Sequence, residues 1–98
     1  MMADGYVVGF WPCNEITTNI LMSTASGVDS SRLRLFDIDG EKQGIDWCGI
    51  GPSVQAPENQ ALIECSYIYL CSPMYNDQIF ESINAMDLKN LIINKVML

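Results

Sequence analysis

Leu33-Arg34-Leu35-Phe36-Asp37-Ile38-Asp39-Gly40-Glu41-Lys42-Gln43-Gly44-Ile45-Asp46-Trp47-Cys48 is the stretch on which the fold turns. Residues Leu33 to Ile38 read as a strand. Asp39-Gly40 follows, a dipeptide that tolerates the positive φ angles of a type I′ hairpin turn, so Gly44 to Cys48 is expected to return as the antiparallel partner.

Upstream, Tyr6-Val7-Val8-Gly9-Phe10-Trp11 is rich in aromatic and β-branched residues and stops at Pro12, as a first strand would. Asn14 can then cap a helix over Glu15 to Ser26, which places Ile16, Ile20 and Leu21 near one face and meets Gly27 as a stop. The threonines of this segment leave a strand reading open as well. Downstream, Gly49 to Pro57 carries too many helix and strand breakers for a regular element and reads as a surface loop. Gln60 to Cys71 is apolar almost throughout and reads as a central strand covered on both faces. After Pro73, Asn76 is placed to cap a helix in which Ile79, Phe80, Ile83 and Met86 recur at helical spacing. Leu91 to Leu98 suits a closing strand. The expected fold is a single α+β domain over residues 1–98. Its sheet is mainly antiparallel or mixed, with about four to six strands and one or two helices packed on it.

The chain has 98 residues, 49% of them hydrophobic and 17% charged, a composition that folds. Lys and Arg number 5 against 12 Asp and Glu, with no His, for a net charge of −7. Five scattered cations cannot build a basic face, so neither nucleic acid nor an anionic membrane surface is expected as a direct partner. The missing histidine removes the commonest general base and the commonest metal ligand together. Cys13, Cys48, Cys65 and Cys71 form no C-x-x-C pair, which speaks against a zinc ribbon or thioredoxin-like chemistry. The opening Met1-Met2-Ala3-Asp4-Gly5 lacks the features of a secretory signal, so free, mostly buried thiols in a reducing cytoplasm are expected. The longest apolar runs are too short to span a bilayer.

Candidate chemistry is sparse. Asp37, Asp39, Gly40 and Asp46 fall on the third, fifth, sixth and twelfth places of an EF-hand-like loop beginning at Leu35. Leu35 stands where the first carboxylate belongs, Asp46 is shorter than the usual Glu, and no helical pattern flanks the loop, so a solvated acidic hairpin tip is the better reading. Cys13 precedes a helix start that would lower a thiol pKa, but no histidine can pair with it, and a core role is expected. Asp37 and Asp39 as a glycosidic pair would need a sugar cleft that nothing here builds. Gly49-Ile50-Gly51-Pro52-Ser53 lacks the Lys and hydroxyl residue of a phosphate loop. No catalytic residue, metal or cofactor is expected.

The arrangement of charge carries more. From Gln43 to Leu88 there is no Lys or Arg, while Asp46, Glu58, Glu64, Asp77, Glu81 and Asp87 fall in that span. Asp77 and Glu81 lie four apart on the expected helix, on one face, with no basic residue beside them in sequence. In size, acidity and absence of catalytic apparatus the chain resembles bacterial toxin immunity proteins and phage anti-defence inhibitors. That resemblance implies a non-enzymatic protein that occludes the active site of a basic partner such as a nuclease toxin. Asp37, Asp39, Glu41 and Asp46 around the hairpin, or Asp77 and Glu81 on the helix, would meet the partner's cations, with Trp47 as the buried anchor. The alternatives are a structural or regulatory homo-oligomer, burying strand faces or edges against its own copies, and, more remotely, a carboxylate-based enzyme or metal protein.

Overall fold

The structure, a computed structural model, describes residues 6–24, 30–47, 52–88 and 91–96. Its first strand, β1 (Val8–Trp11), is buried at every position and lies at the centre of a five-stranded sheet. The chain continues through α1 (Glu15–Thr24), a 3₁₀ turn (Ser30–Arg32), β2 (Leu33–Phe36), β3 (Val54–Gln55), α2 (Asn59–Leu62), β4 (Tyr67–Leu70), α3 (Asn76–Asn84) and β5 (Ile92–Lys95). The strand order is β3-β2-β1-β4-β5, and every neighbouring pair is parallel.

This corrects the expectation of an α+β domain with an antiparallel or mixed sheet and one or two helices: the sheet is wholly parallel, and three α-helices are present among the described residues. Parallel neighbours need a crossover of a dozen residues or more, and the segments between β1 and β2 and between β2 and β3 are long enough to provide one. The hairpin inferred at Asp39-Gly40 does not form. Lys42 N donates to Asp39 O at 3.0 Å, and the positive φ falls later, at Gly44 (86°). Residues 44–46 run along the outer side of β3 instead, where Asp46 forms an isolated antiparallel bridge with Ser53. The returning half of the supposed hairpin is therefore a cover for a different strand.

Two apolar layers flank the sheet. Val8, Phe10, Leu33, Leu35 and Val54 pack with Leu21, Ile16 and Ile20 of α1 on one face. Trp11, Phe36, Ile68 and Leu70 pack with Leu62 of α2 and Ile83, Ile79 and Phe80 of α3 on the other. With a single hand of crossover, stepping from β1 to β2 puts the connection on one face and stepping the opposite way to β4 and β5 puts it on the other. The β2-to-β3 connection, residues 37–53, steps the same way as α1 and belongs on its face. Its described part contains no α-helix, and Trp47 supplies the packing, lying against the α1-side cluster with Nε1 donating to Thr18 Oγ1 at 3.0 Å.

Three further segments differ from expectation. Ala61 to Cys65 does not belong to a long central strand. Leu62 and Cys65 are buried three apart, as on one side of a helical turn, and only Tyr67–Leu70 is extended. The breaker-rich loop contains β3, while residues 48–51 lie outside the described residues. Asn76 is the first residue of α3 rather than its cap, which is Tyr75. Residues 15–24 are helical, deciding the open reading there; Gly27 lies outside the described residues. Among the described residues no helix is long and apolar enough to cross a membrane.

Candidate functional site

In an open parallel sheet the carboxyl ends of the strands converge on one edge, and the crevice sits where the strand order reverses direction. Here that point lies between β1 and β4. Pro12, Cys13 and Asn14 follow β1; Asp37 and Ile38 follow β2; Cys71 to Tyr75 follow β4; Val96 follows β5.

Three amide or carboxylate side chains lace these ends together. Asp37, 4% exposed, accepts from Cys13 N at 3.1 Å on Oδ2 and from Asp39 N at 2.9 Å on Oδ1. Lys42 reaches back over it, with Nζ 3.3 Å from Asp37 Oδ2 and donating to Cys13 O at 2.8 Å. Gln43 Nε2 donates to the Asp37 carbonyl at 2.9 Å. Asn14 spans the reversal point itself. Its Nδ2 donates to Cys71 O at 2.9 Å, and its Oδ1 accepts from Thr17 N at 3.1 Å, capping α1. Asn76, buried within α3, accepts from Ser72 N at 2.9 Å and donates to Val96 O at 3.1 Å. β2, β1, β4 and β5 are thus cross-tied at their carboxyl ends.

The buried and half-buried polar side chains of this edge, Asn14, Asp37 and Asn76, are therefore bonded within the protein. Among the described residues no buried side-chain nitrogen or oxygen lacks a partner. No cluster of three or more His, Cys, Asp or Glu side chains able to hold a metal ion occurs among them either. Cys71 lies at this edge, while Cys65 lies before β4, at the opposite end of that strand. Burial raises the Cys71 pKa, with the Thr17 hydroxyl bond opposing, and burial pushes the Cys65 thiol up to about 11.

The acidic residues singled out in the sequence separate into different roles. Asp37 is an internal brace. Asp39 and Glu41 are exposed and form no ion pair among the described residues; Asp39 Oδ1 accepts from Glu41 N at 2.9 Å. Their nearest cation in sequence, Lys42, is turned inward to Asp37, with Nζ 5.6 Å from the Trp47 ring centroid. Asp46 is exposed beside β3, away from the carboxyl edge. Trp47 is half-buried in the α1-side layer. Asp77, at the start of α3, is met by Lys95 Nζ at 2.7 Å, a neighbour that only the β4–β5 pairing brings near. Glu81 is exposed one turn further along.

Sequence reasoning missed the apolar members of this edge. Ile38 is 76% exposed, Met74 80% and Tyr75 52%. They project from the loops after β2 and β4, which lie two strand spacings, about 10 Å, apart across β1. The signal was large apolar residues placed among turn formers: Ile38 between Asp37 and Asp39, and Met74-Tyr75 after Pro73. The fold and this edge define a doubly wound parallel α/β domain whose reversal point is closed by its own side chains. Compared with protein-family models, curated proteins and solved structures, the chain matches none.

Proposed function

We propose that this protein is a small cytoplasmic inhibitor, working as immunity proteins of bacterial toxins do, that binds a basic partner protein such as a nuclease toxin and occludes its active site. It acts through the carboxyl edge of its sheet and performs no bond-making chemistry. The observation that carries the reading is the composition of that edge. Exposed Ile38, Met74 and Tyr75 stand beside the unneutralised carboxylates of Asp39 and Glu41, while Lys42, the cation that could neutralise them, is committed to Asp37 and Cys13. Apolar side chains supply the desolvated centre of an interface, and the carboxylates steer and orient a cationic partner. The bonding of Asn14, Asp37 and Asn76 to backbone groups of the neighbouring strand ends supports the same view, since it commits these three side chains to the protein's own chain and not to a substrate.

The test uses the full chain as bait in its source cells, with Ile38→Asp/Met74→Asp and Asp39→Lys/Glu41→Lys variants as controls. The partner is then purified and assayed alone and in complex. The expected partner is basic, binds one to one and loses its activity on binding. The apolar double variant loses affinity by about a hundredfold or more, and the charge reversal slows association steeply. A captured protein that keeps full activity in the complex, or binds both variants as it binds the wild type, would overturn the proposal.

A further inference from the structure

The two margins of the sheet are built differently. The outer side of β3 is covered by residues 44–46: Gly44 N donates to Val54 O at 2.7 Å, and Val54 N to Ile45 O at 2.9 Å. Nothing lies beyond β5 among the described residues. Ile92 N donates to Ser66 O and Val96 N to Leu70 O. A residue in a parallel ladder directs its N–H and C=O to the same neighbour, so Ile92, Asn94 and Val96 face β4. The N–H and C=O groups of Ile93 and Lys95 therefore point outward from the sheet. Natural edges are blunted by lysines, prolines or bulges. Here the lysine of β5, Lys95, is drawn off the margin, with Nζ 2.7 Å from Asp77 Oδ1 and 4.6 Å from the Phe80 ring centroid on the α3 side.

Beside this margin the α1 face of the sheet is open. Leu33, Leu35, Val8 and Phe10 are buried on it, Tyr67 and Tyr69 only partly, and Ile92 is 52% exposed. Both α2 and α3 lie on the other face. Tyr6 stands edge-on to Tyr67 with ring centroids 5.4 Å apart and adds to the uncovered aromatic surface.

We infer that β5 is a self-association edge, onto which a second copy of this chain adds its own β5 antiparallel across a twofold axis at Asn94. The outward groups of Ile93 and Lys95 bond those of Lys95 and Ile93 in the second copy. Asn94 then faces Asn94, and Ile92 faces Val96 on the open face. Apolar meets apolar, a carboxamide that both donates and accepts meets its own counterpart, and each Lys95 lies opposite Ile93. The other registers that pair the outward groups are worse. One sets Lys95 against Lys95, a destabilising like-charge pair, and the other sets Asn94 against Ile92. This surface is the lateral margin of the sheet; it reaches the carboxyl edge at Val96 and takes in none of Ile38, Asp39, Glu41, Met74 and Tyr75.

Sedimentation equilibrium of the full chain, from micromolar to millimolar concentration, tests the inference. The wild-type mass is expected to rise from 10.9 kDa toward twice that value. Asn94→Asp and Asn94→Lys each set like charges across the axis and are expected to weaken self-association about fivefold or more, while an equimolar mixture of the two recovers it. Circular dichroism checks that each variant folds. Asn94→Cys gives a readout independent of charge, because its thiols link two copies on oxidation in this register. A wild type that stays monomeric throughout, a mixture no tighter than either variant alone, or an Asn94→Cys chain that does not crosslink overturns the inference.

Discussion

A methyl group on Gly9 would lie 2.8 Å from Phe36 Cε2 and 3.0 Å from Cys65 Sγ, both in the closed layer beneath α2. Phe36 is fully buried and hemmed in by Ile68 and Leu62, so it has little room to move aside. Gly9→Ala is expected to destabilise the fold by about 1–3 kcal/mol, seen as a lower denaturation midpoint at unchanged slope. An unchanged midpoint would show that the ring can shift. Cys65 lies in the same layer, and burial holds its thiol neutral up to about 11, with Arg34 opposing and Glu64 adding to the shift. An unfolded chain loses this proton near 9. Stability is therefore whole below that pH and falls as pH rises from about 9 to about 11, the unfolded state being the one that ionises first. Urea denaturation across this window should show the decline, and Cys65→Ala should flatten it. The same slope in both proteins would assign the decline to other groups.

Among the elements, α1 depends most on one side chain. Asn14 caps it and also ties β1 to β4 through Cys71 O. Asn14→Ala removes a cap worth about 1 kcal/mol and strands a buried carbonyl at about 1–3 kcal/mol, so a loss of roughly 2–4 kcal/mol is expected. Asn14→Ser keeps a cap acceptor and loses only the tie, so its stability should fall between the two. Equal stability of Asn14→Ser and the wild type would show that the tie contributes nothing. The start of α1 was legible because capping is local, with Asn14 three residues before the backbone N–H of Thr17. The start of β4 was not. Leu62-Ile63-Glu64-Cys65 satisfies both a buried strand and a short amphipathic turn, and the choice falls to Leu62 and Cys65 meeting Phe36 and Ile68 across the layer.

For the whole molecule, the net charge of −7 sets opposite salt responses at the two proposed surfaces. Docking of a cationic protein on the carboxyl edge weakens as salt is added, because the attraction between opposed charges is screened. Pairing of two like-charged copies through β5 strengthens under the same change, because their mutual repulsion is what salt relieves. Titrating ionic strength while following both equilibria separates the surfaces, and a common direction of response would tie them to one. Of the described cations, Arg34, Lys42 and Lys95 each meet a carboxylate drawn from a distant or looping part of the chain: Glu64, Asp37 and Asp77. Asp77 therefore has a basic neighbour in space that its own helix lacks.

The sequence by itself determined where β1, α3 and β5 lie, that Asn14 could cap a helix, that the chain folds, and that its exterior is acidic. Each of these is written in short-range periodicity, local capping or composition. That residues 15–24 are helix and not strand was left to the structure. Only the tertiary structure decided that the strands run parallel, that Asp39-Gly40 opens a crossover instead of a hairpin, and that Asp37 braces the interior while Ile38 faces solvent. Strand direction, and the fate of a carboxylate at a strand end, depend on which segments distant in sequence lie alongside. Asp37 is fastened by Cys13, and Asp77 by Lys95 through the pairing of β5 with β4. Contacts of that range leave no periodic trace in a single chain.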